Sequence, residues 1–278
     1  MNLILAALAL CAAALQGQEK PAPEARRAFP RLKPPEQERL EQALFQMRSA
    51  KTAEARAEAR AAVVAAGAGG VPASLRAFAK FEAERAGELR GVLDKTLAEA
   101  DLDLALAESG PKAAPAARHY VVRRIADSRR DDALKHLAPL LQDADAETAF
   151  QAARGLALRD DTACVPVLHS AVRARWKDEE ALLRAELAQV PRGALSAPVS
   201  GLVGVGARED RLAGIRLFAL VGVREHARVL RAALDDTDQQ ILLNAVNACR
   251  AVVDGEPPLE RPSSPQLIEQ VQLWKSKL

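Results

Sequence analysis

Several things are scarce in this 278-residue chain, and each scarcity closes off a chemistry. It has three cysteines, at positions 11, 164 and 249, and no Cys-x-x-Cys, so neither a disulfide framework nor a cysteine-based zinc site is written into it. The four histidines, His119, His136, His169 and His226, stand singly, with no HExxH and no His-Glu dyad, so the paired ligands of a di-iron or zinc enzyme are missing. No Gly-x-Ser-x-Gly or phosphate-binding loop occurs. The glycine-spaced run Gly201 to Gly206 lacks the lysine and the preceding strand of a phosphate loop and reads as a turn after a helix. Net charge is only +2, so no whole-chain attraction toward nucleic acid exists. Aromatic residues make up 3% of the chain against 49% hydrophobic residues overall, a balance of small side chains that suits close helix packing.

What the chain does have is a period. Adding 31 to residue numbers from Ile125 gives Leu156, Leu187, Phe218 and Cys249, and from Ala126 gives Ala157, Ala188 and Ala219. Two further columns run Leu137, Leu168, Val199, Leu230 and Leu141, Val172, Val203, Leu234. A fixed period of this size is the signature of stacked supersecondary units, each needing its neighbours to cover its apolar side. Within a unit the apolar spacing is helical. Phe150, Ala153, Leu156 and Ala157 mark one stripe, and Val165, Leu168, Ala171 and Val172 mark another after the Arg159 to Thr162 turn. Asp160, Asp161 and Thr162 are capping residue types, and Pro166 stands near a helix start. The expectation is an all-α chain: a right-handed α-solenoid of antiparallel helix pairs.

The segment HLAPLLQDADAETAFQAARGLALRDDTACVPVL at 136–168 resembles the HEAT-like repeats of the phycobilisome-lyase type. The shared pattern is a leucine pair, an acidic turn, an Ala-rich helix and a Val-Pro opening the next helix. It departs from Gln142 onward, where the family often carries Val-Arg and this chain has Ala149-Phe150. The units at 178–203 and 210–234 match more loosely. The resemblance implies a fold. Such repeats serve many functions, among them attaching or detaching a bilin on a partner protein.

In chain order, Leu3 to Leu15 is an apolar run too short to span a bilayer, which takes roughly 20 residues, but of the length of a signal-peptide core. Residues 1–17 are therefore expected to be an export signal, cleaved after Ala14, Gln16 or Gly17. The alternative of a lipid anchor on Cys11 is opposed by Leu10, where a small residue is needed. Residues 18–35, with five prolines and almost no apolar residues besides Phe29 and Leu32, read as a disordered spacer. The helical-repeat domain is expected over 36–255. It opens with Leu40, Leu44, Phe45 and Met47 on one stripe, breaks at Gly67 to Gly70, and resumes at Val71-Pro72 with Leu75, Phe78 and Phe81. Val63 and Leu75 lie two periods before Ile125 and Leu137, but the register fails at Asp94, and an irregular unit with a turn-rich loop covers about 82–115. Residues 256–278 supply a proline-rich loop and a capping helix with Leu267, Ile268, Val271 and Trp274.

Two basic clusters bear on function. Arg123, Arg124, Arg129 and Arg130 form one, and Arg173 and Arg175 flank Trp176 after a turn. Such groups can hold phosphates and stack a base. Asp127, Asp131, Asp132, Asp178, Glu179 and Glu180 adjoin them and oppose that potential. Cys249 falls in the buried column and Cys164 nearly three periods earlier. With units about 10 Å apart, no intramolecular disulfide is expected, since bridging needs Cα atoms within about 7 Å. No catalytic residue, cofactor site or metal site is assigned. The reading is an extracytoplasmic scaffold, periplasmic or secreted, with no transmembrane span in the mature chain, that binds a protein partner. The alternatives are a bilin-lyase-like protein and a nucleic-acid binder.

Overall fold

The computed structural model describes residues 27–278; the expected signal peptide at 1–17, Cys11 and the spacer up to residue 26 lie outside the described residues. Among the described residues the fold is all-helical, with no strand. The expected spacer gives way to structure early. Residues 27–33 are extended, Phe29 and Leu32 pack on the core, and helix α1 (Pro34–Ser49) begins at the Pro34-Pro35 pair, where a missing N–H costs nothing. Gly69 makes this docking feasible: a Cβ there would come within 2.8 Å of Leu32 and 3.0 Å of the Pro30 carbonyl.

Four helices follow: α2 (Ala53–Ala65), α3 (Val71–Ala77), α4 (Ala83–Thr96) and α5 (Leu102–Glu108). The Gly67 to Gly70 break is a 3₁₀ turn entered through Gly67 at φ 56°. The more regular part then runs α6 (Pro115–Asp127), α7 (Ala133–Leu137), α8 (Ala146–Ala157), α9 (Val165–Leu187), α10 (Ser196–Ser200), α11 (Arg208–Val221), α12 (Gln239–Cys249) and α13 (Ser264–Lys277). Each longer helix packs on the next, α6 on α8, α8 on α9, α9 on α11 and α11 on α12. The shorter elements fold back against them, α7 on α6 and α8, and α10 on α11. One continuous apolar core results.

The period is visible as burial. Ile125, Leu156, Leu187, Phe218 and Cys249 are all buried, as are Leu137, Leu168, Val199 and Leu230. The other two columns hold in part: Ala188 is exposed just past the end of α9, and Leu141 and Val203 are half-buried in a 3₁₀ turn and a loop. Polar ties run at a slightly shorter spacing. Arg60 donates to Glu88, Arg124 to Asp94, Arg154 to Asp127, Arg208 to Asp238 and Arg216 to Asn244, pairs 27 to 30 residues apart. Arg159 donates to the carbonyls of Ala126 and Ser128 and so closes the C-terminal end of α6.

Three expectations need correction. The second helix of a pair is seldom a full helix: Pro139 removes a backbone donor and ends α7 after one turn, so 138–142 continues as 3₁₀. No loop separates the segments near Asp178: α9 is two helical stretches joined directly across a kink at Glu179 (φ −131°, ψ 25°), and Trp176 lies in the first of them. Phe45 and Ile268, read as stripe residues, are 57% and 62% exposed. Their neighbours behave as expected, with Leu40, Leu44, Met47, Leu267, Val271 and Trp274 buried.

Candidate functional site

A cleft of about 450 Å³ lies where α4, α6 and α8 come together, lined by Arg90, Asp94, Tyr120, Arg124, Glu147 and Gln151, with His119, Arg123 and Asp127 beside them. The helical period places these groups. Tyr120, Arg123, Arg124 and Asp127 fall on one stripe of α6 at steps of three and four, and Glu147 and Gln151 are one turn apart on α8. Three arginines face three carboxylates, so the cleft is charge-balanced.

At one end the Tyr120 hydroxyl donates to Asp94 Oδ1 at 2.9 Å, and Arg124 donates to that carboxylate at 2.7 Å and to the phenol oxygen at 3.0 Å. Burial, then the Asp94 hydrogen bond, pushes the phenol far above its usual range, so Tyr120 stays a donor. Behind the lining Asp127, Arg154, 1% exposed, donates to Asp127 Oδ1 at 2.5 Å and lies 3.1 Å from Glu186 Oε2. Arg123 reaches Glu186 at 3.0 Å and Asp127 at 3.8 Å, which closes a four-membered ring of alternating charge. Arg175 extends it, pairing with Glu147 at 2.8 Å and covering the Phe150 ring at 4.7 Å. On the other side His119 Nε2 lies 2.6 Å from Asp145 Oδ1. Asp145 also caps α8 by accepting from the Thr148 amide at 2.7 Å. Burial raises the Asp145 pKa, but the Thr148 amide and His119 outweigh it and the net shift is downward.

Chemically this arrangement orients and pairs charge. The His119–Asp145 contact has no accessible nucleophile: no serine, threonine or cysteine among the described residues bonds to His119, and the Thr148 hydroxyl is buried and unpartnered. His226 Nδ1 lies 2.8 Å from Ser196 Oγ, but Ser196 is fully buried and its oxygen accepts the Val223 amide, so the pair knits α10 to the 224–231 turn. His169 meets the Asp210 carbonyl at 2.9 Å, and His136 lies 3.5 Å from Asp132. Cys164 and Cys249 are buried free thiols, and burial pushes both up to about 12, which keeps them protonated. No group of three or more His, Cys, Asp or Glu side chains suited to a metal occurs among the described residues. No single described helix is long and apolar enough to cross a membrane.

The sequence-marked basic clusters are largely spent on pairs. Arg130 bonds Asp132 and Arg173 pairs with Asp210. Trp176 is 6% exposed, with the guanidinium groups of Arg184 and Arg216 over its ring at 4.9 and 5.2 Å, so it is too buried to stack a base. The Gly201 to Gly206 run is a turn, with Gly204 and Gly206 at φ 84° and 85°.

Sequence reading missed one constellation. Arg118 pairs with Asp143, whose carboxylate accepts the Asp145 amide, and Arg211 pairs with Asp236, whose carboxylate accepts the Asp238 amide. Asp145 and Asp238 then cap α8 and α12. The two sets are 93 residues apart, three periods, and the Asp-x-Asp spacing at 143–145 and 236–238 was the available signal. Comparison of the chain with protein-family models, with curated proteins and with solved structures finds no match.

Proposed function

We propose that this chain is a non-enzymatic, exported helical-repeat scaffold: a right-handed α-solenoid of HEAT-like units that binds another protein along its cleft-bearing face. The observation that carries the reading is the charge-balanced cleft, held rigid by ion pairs from successive helices and free of any poised nucleophile. Preorganised polar groups of both signs suit a protein partner with a complementary polar surface. The one-unit spacing of buried columns and polar ties supports stacking of HEAT-like units, whose elongated surfaces serve recognition. Export rests on the run Leu3 to Leu15.

The alternatives fare less well on the same residues. A bilin-lyase-like protein would offer an apolar slot for a tetrapyrrole, whereas this cleft is lined by ionic groups. A nucleic-acid binder would present a net positive groove with accessible aromatic faces, and here Asp94, Asp127 and Glu147 face any phosphate.

The test is photo-cross-linking in cells from a benzophenone side chain replacing Arg90, with fractionation and intact-mass analysis of the chain. The expected result is a discrete adduct with one protein, and loss of about 14 to 18 N-terminal residues with recovery outside the cytoplasm. Adducts with nucleic acid, or no adduct, overturn the scaffold reading; an intact cytoplasmic chain overturns the address.

A further inference from the structure

A second concavity lies at the other end of the described chain, between α1 and α3, with a volume of about 570 Å³. Its floor is Leu44, Ala73 and Ala77, its walls are Phe45 and Phe81, and its rim carries Arg48, Arg76 and Lys80 against one acid, Glu41. Phe45 is the most exposed aromatic of the two, at 57%, on a helix whose Leu40, Leu44 and Met47 are buried.

The rim charges set this groove apart. Many arginines elsewhere are tied to carboxylates, as at Arg118, Arg130, Arg154 and Arg175. Here Lys80 makes no ion pair with a described residue, and Arg76 has only Glu108 at 3.6 Å, both side chains being exposed. The Arg48 guanidinium lies over the Phe45 ring at 5.4 Å instead of on a carboxylate. The groove is apolar inside and positively charged at the edge, with Arg48 and Lys80 in no ion pair with a described residue and Arg76 held only by an exposed one.

We propose that this groove docks an acidic, amphipathic helical segment of a partner protein. A trough between two helices with small side chains on its floor admits apolar side chains at i, i+3 or i+4 and i+7 from a helix lying along it. Acidic residues on that helix would meet Arg48, Arg76 and Lys80, which have the opposite sign. A second copy docking through its own C-terminal helix fits worse: α13 exposes Ile268 and Leu273, but it carries a single acid, Glu269, and its Lys275 and Lys277 are already paired with Asp235 and Asp254, so it offers the basic rim no acidic face. An anionic membrane needs apolar side chains projecting from a flat or convex surface, and Leu44, Ala73 and Ala77 are recessed. The inference deepens the scaffold reading and rests on it only for the class of partner.

The test uses the full chain and a fluorescein-labelled 15-residue helical peptide with leucines at i, i+4 and i+7 and glutamates at the exposed positions. Anisotropy is expected to report saturable binding that weakens with salt. Phe45→Ser and the double variant Arg76→Glu/Lys80→Glu should each weaken it about tenfold or more, a loss typical of an anchor. The same peptide with lysine for glutamate should bind at least about tenfold worse. Unchanged melting temperature and helical circular dichroism show that the variants fold, as expected for exposed positions. No binding by the acidic peptide, equal binding by the lysine peptide, or affinity indifferent to Phe45→Ser would overturn the proposal. Preferential adsorption of the chain to phosphatidylglycerol vesicles, lost with the same variants, would overturn it in favour of a membrane surface. Failure here with the Arg90 cross-link intact removes the groove and leaves the scaffold, whereas loss of the cross-link with peptide binding intact removes the cleft alone.

Discussion

The stretch from α6 to α12 and the stretch from α1 to α5 are built from the same residue types, yet they use them differently. In the former, Phe150 and Phe218 are fully buried, and Arg154 is as buried as the leucines around it. In the latter, Phe45 faces solvent, Phe81 is half-buried, and Arg90 and Lys80 pair with no described residue. The difference follows from the period. A column at 31-residue spacing is buried because a neighbouring helix covers it, α6 packing on α8, α8 on α9, α9 on α11 and α11 on α12. Where the spacing fails, at Asp94, that position becomes a polar tie to Tyr120 and Arg124. The regular stretch spends Phe150 and Arg154 on its own interior, whereas the earlier one leaves Phe45 and Lys80 to solvent.

The largest expected effect breaks the regular part through its buried charge. Arg154→Ala should cost toward the lower end of about 3–5 kcal/mol, because Glu186, also buried, loses one of its two cationic partners and keeps only Arg123. Replacing both ions, as Arg154→Met with Glu186→Leu, should recover much of that loss. Arg124→Ala, whose partner Asp94 is half-exposed, should cost no more than about 1 kcal/mol. Urea denaturation of the four chains decides it, and similar losses for Arg154→Ala and Arg124→Ala would erase the contrast between a buried tie inside the regular stretch and an exposed one that crosses to Asp94 of α4.

Glycine sharpens the same comparison with opposite signs. A Cβ on Gly155 would lie 2.7 Å from the Ala126 Cβ and 2.8 Å from its Cα, so α6 and α8 approach only because that side chain is absent. Gly155→Ala should destabilise by about 1–3 kcal/mol. Gly87 and Gly91 in α4 have nothing within 4 Å of the added carbon, and both are exposed. Alanine there should stabilise by about 0.5–1 kcal/mol, the helix-propensity difference alone. Thermal melts of the three single variants give the signs, and destabilisation at Gly91 would mean that α4 is packed as tightly as α8.

Much of this contrast could be read in advance. The Ile125 and Leu137 columns, the Asp161 cap and Pro166 at the start of α9 were all legible, because each depends on local residue type and a fixed spacing. Periodicity marks an apolar face without saying whether anything covers it, so Phe45 and Ile268 looked like core. Trp176 looked available because the Glu179 bend is not announced by glycine or proline, and its arginine neighbours come from positions 8 and 40 residues on. The cleft was the least legible feature. Its groups come from three helices, and Arg154 sits in an alanine-rich run where a buried ion is not expected.

The repeated caps give the smallest effect and the finest test of whether units three periods apart behave alike. The Arg208 hydrogen bond, ahead of the Ile241 and Gln240 amides, holds Asp238 below the usual carboxylate range, and Asp145 is also lowered. A carboxylate depressed in the folded state stabilises fully above its unfolded value, near 3.9. That stability drains away as pH falls through the lower folded value. Asparagine at either position keeps a capping oxygen but cannot titrate, so Asp145→Asn and Asp238→Asn should each change stability at pH 7 by under about 1 kcal/mol. The double variant should lose less stability than the parent between about pH 4 and pH 2.5. Melting temperatures across that range are the measurement. Equal flattening by the two single variants makes the caps equivalent repeats of one device; flattening by Asp238→Asn alone ties the effect to Arg208, which has no counterpart beside Asp145.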